Sequence, residues 1–262
     1  MKKGLIKILV CAWLINLLPA YNYAQESAQD SERKTPIDVF KEDEDAQVDI
    51  LTPYTTLVVD WGVTLLQNAP SNMDLILWRS RVLSGSFYYN IPIGTSHFMT
   101  SFGVGMSNAD YLFKSDSILD RRDAQNRKTG IKPAKNVIAG NTKTKIQKTI
   151  FSINHADFIG EFSFNLNKEE PQEGFFVAVG GYIGFQFSPT TSIYYKEDDQ
   201  NKVRITKESF NTRKYRYGTI ARIGWNRFGA FYKHTLSGLF DENGPSQDTI
   251  LPFSIGISIN LL

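Results

Sequence analysis

From about residue 57 to the end of the chain, apolar and polar residues alternate with period two. Such alternation marks strands whose two faces meet different surroundings. The clearest stretch is LPFSIGISINLL at 251–262. Phe253, Ile255, Ile257, Ile259 and Leu261 are apolar, while Ser254, Gly256, Ser258 and Asn260 are small or polar. Seven earlier segments follow the same rule: LVVDWGVTLL (57–66), SRVLSGSFYYNI (80–91), HFMTSFGVGMS (97–107), part of 150–166, FFVAVGGYIGFQF (175–187), KYRYGTIARIGW (214–225) and FGAFYKHTLSGLF (228–240). In the fourth, the alternation slips upstream of Ala156, which predicts a bulge or the end of a membrane-embedded part. In the seventh, Phe228, Tyr232, Leu236 and Phe240 share the apolar face.

The links between these segments alternate in length. PIGTS (92–96), NKEEPQEG (167–174) and NR (226–227) are short; 67–79, 108–149, 188–213 and 241–249 are long. Transmembrane barrels put short turns at one end and long loops at the other, and single-chain bacterial barrels have an even strand number. A soluble sandwich has no reason to keep that rhythm. The expected fold is therefore all-β: an eight-stranded antiparallel transmembrane up-and-down β-barrel over residues 51–262. Its closing strand would face lipid through Phe253, Ile255, Ile257, Ile259 and Leu261. The phase of the links places both termini in the periplasm.

Composition narrows the compartment. Apolar residues make up 42% of the chain, and mean hydropathy is −0.27. A helical multispanning protein would need several runs of about 20 apolar residues, whereas barrel strands are only half apolar. The N-terminus carries Lys2, Lys3 and Lys7, then ILVCAWLINLL, then YNYAQ. It reads as a signal peptide over 1–24. Cleavage there removes Cys11, the single cysteine, so the exported chain would hold together without disulfides. Residues 25–50 carry nine acids and three bases without sustained periodicity, as expected of a flexible acidic tail. The expected location is the outer membrane of a Gram-negative bacterium.

Six charged residues fall on the small, polar faces of the strands: Asp60, Asp157, Glu161, Arg216, Arg222 and Lys233. The interior of an eight-stranded barrel is just wide enough for side chains to fill it, and an unpaired buried charge is costly. These six are expected to form a salt-bridged structural cluster that plugs the lumen. No residue set has metal-ligand or nucleotide-binding spacing, so neither a cofactor nor an enzymatic activity is expected. The three histidines are His97, His155 and His234. In KHTLSGLFDE, Ser237 lies three residues after His234, and alternation puts the two on opposite faces. That weakens the one hydrolase-like grouping. The alternatives to a non-enzymatic barrel are a small transport or channel barrel, and a membrane-face lipid hydrolase using His234.

The run YGTIARIGWNRFGAFYKHTLSGLFDENGP, followed by LPFSIGISINLL, resembles the PorT-like outer-membrane β-barrel domain. Gly244-Pro245 and Pro252-Phe253-Ser254-Ile255-Gly256 carry the likeness, which covers about 50 residues at the C-terminal end. The resemblance implies an eight-stranded outer-membrane protein with no catalytic residues, one member of that family being implicated in assembly of a protein-secretion system. The function it suggests is a structural or accessory subunit of an envelope complex, in protein secretion or outer-membrane assembly. Outer-membrane lipid is the expected surroundings. Other envelope proteins would be contacted through the 25–50 tail and the outer loops. The loop at 114–149, with ten Lys or Arg residues against three Asp, would lie near lipopolysaccharide phosphates. Nothing points to nucleic acid.

Overall fold

The computed structural model describes residues 52–114, 116–122, 128–138, 144–197, 199–246 and 249–261, with the side chains of 121 and 122 excepted. The signal peptide expected at 1–24 and the acidic tail expected at 25–50 lie outside the described residues.

Among the described residues eleven strands form in chain order: β1 (Tyr54–Gln67), β2 (Arg81–Pro92), β3 (Phe98–Leu112), β4 (Ser117–Arg122), β5 (Lys128–Pro133), β6 (Lys145–Asn165), β7 (Phe175–Glu197), β8 (Gln200–Lys207), β9 (Tyr215–Trp225), β10 (Phe228–Thr235) and β11 (Leu251–Asn260). Eight of them close a ring. The order runs β6-β3-β2-β1-β11-β10-β9-β7, and β7 pairs back to β6. Every pairing is antiparallel and joins ring neighbours in the chain order. Closure removes the open edges that a sheet of this size would otherwise expose. The barrel is therefore all-β, antiparallel and up-and-down.

The alternation that defined the strands also sorts their faces. Trp61, Phe102 and Ile183 are 52%, 57% and 54% exposed, and Ile255 and Ile257 of the closing strand are 51% exposed. Their neighbours Asp60, Ser101, Tyr182, Ser254 and Ser258 are buried in the lumen. An apolar outer belt around a polar interior inverts the arrangement of a water-soluble protein and matches a barrel immersed in lipid.

At the short-turn end the links are tight. Asn226 sits at φ 53° in the two-residue turn between β9 and β10, a conformation asparagine tolerates better than most residues. Its side-chain oxygen accepts a 2.6 Å hydrogen bond from the Gly174 amide, lacing that turn to the neighbouring one. Both ends of the described chain meet the barrel here, since Tyr54 opens β1 and the Leu261 amide bonds to the Leu57 carbonyl.

The long-loop end carries more structure than alternation indicates. β6 has 21 residues and β7 has 23. A spanning strand needs only about 9–11, so both project well past the bilayer. A register shift between Ser152 and Asn154 marks the slip seen upstream of Ala156. The stretch 114–149, expected as a loop, holds the β4–β5 hairpin and a single helical turn, α1 (Ala134–Val137). Residues 188–213, also expected as a loop, hold the rest of β7 and β8. One expectation is corrected: the seventh segment stops at Thr235. Phe240, expected on the lipid face, is buried. Leu236 and Ser237 still alternate, exposed and buried, and both amides bond to the Tyr217 carbonyl. Beyond them Leu239 and Phe240 are both buried, and strand parity no longer decides where a side chain points.

Candidate functional site: the barrel lumen

The lumen is built where small residues make room for large charged ones. Gly62 of β1 stands opposite Gly256 of β11. A Cβ at Gly256 would run into the Trp61–Gly62 backbone and the Phe231 ring. That gap lets Phe231 and the Arg222 guanidinium occupy the interior, the guanidinium carbon lying 6.0 Å from the ring centre.

Six charged side chains gather into two triads. In the first, Arg222 donates to both Asp60 oxygens at 2.5 and 2.9 Å and to Glu161 at 3.1 Å. Ser84 donates to Asp60 at 3.0 Å, Ser258 donates to it at 2.7 Å, and Tyr88 donates to Glu161 at 2.7 Å. In the second, Asp157 accepts from Arg216 at 2.7 and 2.8 Å and from Lys233 at 3.1 Å, with Ser107 donating at 2.8 Å. The Tyr182 ring lies under both cations, 4.1 Å from the Lys233 ammonium and 5.4 Å from the Arg216 guanidinium carbon. One triad holds two acids and a base, the other two bases and an acid, so their formal charges cancel. Bidentate, charge-assisted contacts of this kind are the strong class of hydrogen bond.

Below the first triad, at the short-turn end, a cavity of about 70 Å³ is lined by Tyr54, Thr56, Asn90, Ser101, Asn165 and Asn260, with Glu161 and Arg222 among its walls. A site of that size holds a few waters. Its amides and hydroxyls bond to each other, Asn90 donating to Thr56 at 3.0 Å and accepting from Ser101 at 2.7 Å.

Above the second triad the long-loop end is closed by an apolar cluster. Met73, Tyr111, Phe113, Leu119, Phe151, Ile153, Phe210, Leu239, Phe240 and Ile250 bury together. Phe151 is central, stacked on Phe240 at 6.3 Å and edge-on to Phe210 at 5.8 Å. Sequence patterning missed this cluster, because its members come from seven segments that share no period.

The histidines stay apart. His97 shares a hydrogen bond with the Asn165 carbonyl at the turn end, and His155 is buried in the lumen. His234 stacks beside Tyr232 on the outer face. Ser237 instead accepts from the Tyr217 amide at 3.2 Å, so the hydrolase-like grouping of His234 and Ser237 does not assemble. Among the described residues no group of three His, Cys, Asp or Glu side chains could hold a metal.

No protein-family model matches the sequence, and no curated protein matches it. Among solved structures, the chain is similar to Ail, the attachment invasion locus protein of Yersinia pestis, solved in complex with the heparin analogue sucrose octasulfate. The identity is 9%, the match covers 79% of this chain and 97% of that one, and the TM-score is 0.29. The membrane-barrel assignment rests on the closed strand ring, its apolar belt and its polar interior, not on that similarity. The chain folds as a β-barrel of the outer-membrane type.

Proposed function

We propose that the protein is a non-enzymatic accessory subunit of an envelope assembly, working through its two ends rather than through its lumen. The observation that carries this reading is the pairing of all six lumen charges with one another. Groups poised for transport or catalysis would be aimed at a space a substrate can enter. Here the space between the apolar cluster and the turn-end cavity is filled by the protein's own ion pairs. The likeness of the last 50 residues or so to PorT-like barrels supports an assembly or secretion role. With the short turns facing the periplasm, the acidic segment 25–50 would reach periplasmic partners. The basic stretch 114–149 would lie beside lipopolysaccharide phosphates.

The test is a native gel and a mild-detergent pull-down with the full chain and with a chain lacking residues 25–50. A stable complex that the deletion weakens is the expected result. A protein that always migrates alone, with or without the tail, would overturn the accessory reading.

A further inference from the structure

The sheet does not end with the eight strands of the ring. β8 pairs with β7 along one edge, and among the described residues no strand pairs with its other edge. Only two residues separate Glu197 from Gln200, and these flanking residues are register partners. A pair closing so short a turn exchanges both of its backbone hydrogen bonds, and the pattern alternates from there. Lys202, Arg204 and Thr206 therefore direct their backbone groups to β7. Asn201, Val203, Ile205 and Lys207 direct theirs outward, an open row roughly 20 Å long at about 3.4 Å per residue. All but one of the eight residues of β8 are exposed.

The side chains define what would fit. Cross-strand partners share a face of the sheet. Arg204 stands opposite Ile193 and Lys202 opposite Tyr195, on the face that packs toward Ile118, Ile138 and Ile146. The Arg204 guanidinium donates to the Val137 carbonyl at 3.0 Å, which leaves its charge uncancelled. Lys202 reaches Glu197 at 2.7 Å across the hairpin. Val203 and Ile205 lie on the other face, beside Tyr194 and Ser192, and are 48% and 60% exposed. Between 200 and 207 there are three cations and no carboxylate.

We propose that β8 is a docking edge for an extended segment of a partner protein, in which apolar side chains alternate with acidic ones. The segment adds as a further strand. Its main chain bonds to Asn201, Val203, Ile205 and Lys207, its acids lie beside Lys202 and Arg204, and its apolar residues cover Val203 and Ile205. A second copy of this chain fits poorly. Antiparallel self-pairing centred on Val203 or Arg204 sets cation against cation, and like charges directly opposite are destabilising. The same cations that keep copies apart, a common guard of edge strands, thus select an acidic partner. The inference rests on the accessory-subunit reading and names what the long-loop end of such a subunit holds.

A fluorescent peptide of four Glu-Val repeats, added to the detergent-folded full chain, tests the edge, with four Lys-Val repeats as the control. The Glu-Val probe is expected to bind and to slow amide exchange over 200–207, while the Lys-Val peptide does not bind. Val203→Pro and Ile205→Pro each remove an outward amide without breaking a bond to β7. Each should weaken probe binding by about tenfold or more, with heat-modifiable gel migration unchanged. Equal binding of the two peptides, binding of neither, or full binding by both proline variants would overturn the proposal. So would a Val203→Cys disulfide between two copies, which would assign the edge to self-association. A native complex that survives both proline substitutions refutes strand addition and leaves the accessory reading intact. Probe binding by a protein that has no native partner refutes the accessory reading and supports the edge chemistry.

Discussion

Arg222 is held by Asp60 from β1 and Glu161 from β6, with Ser258 and Tyr88 completing its shell. Removing the guanidinium strands two carboxylates in a closed interior, and breaking a buried pair from one side costs about 3–5 kcal/mol. Arg222→Met should therefore lower the urea midpoint of the detergent-folded barrel, and the unfolding free energy obtained from midpoint and slope should fall by an amount in that range. Adding Asp60→Asn and Glu161→Gln should recover most of the loss, because no carboxylate of that triad is then left without its cation. An unchanged midpoint in the single variant would show that the triad does not stabilise the lumen. The six charges were legible in the sequence, since strand parity alone puts them on the small-residue face. Their partners were not. Which cation meets which acid depends on the stagger of strands around the ring, and Asp60 and Arg222 stand 162 positions apart.

At the scale of elements, the strands separate into a part that spans the bilayer and a part that rises above it. Inside the membrane, period two fixes each strand, because lipid and lumen demand opposite chemistry of neighbouring residues. Above it both sides of a strand can meet protein or water, and the pattern fades. Thus β1, β2, β9 and β11 fall within a few residues of their expected bounds, while the β4–β5 hairpin and β8 lay hidden in segments that read as loops. The apolar cluster at the long-loop end behaves like the core of a small soluble domain. Phe151→Ala should cost about 3–5 kcal/mol, as a large aromatic truncation does in a packed core. Limited proteolysis should then cut within 114–149, while heat-modifiable migration persists. Loss of that migration would mean that the cluster, and not the ring alone, holds the barrel closed.

At the largest scale, the described residues form a ring of eight strands, apolar outside, with ion pairs at mid-lumen and an apolar cluster above them. The cavity at the short-turn end holds about 70 Å³. At the long-loop end, what such a barrel offers its surroundings is the projecting β6–β7–β8 sheet. LPFSIGISINLL closes the ring by pairing with both β1 and β10, so its alternation specifies a place in a membrane more than an activity. The sealed lumen is the claim on which the rest depends, and electrical recording across planar bilayers tests it most directly. The purified, heat-modifiable protein should give no steady conductance above the bare membrane. A reproducible open-channel current would contradict the plug, and with it the reading of this barrel as a subunit that works through its ends.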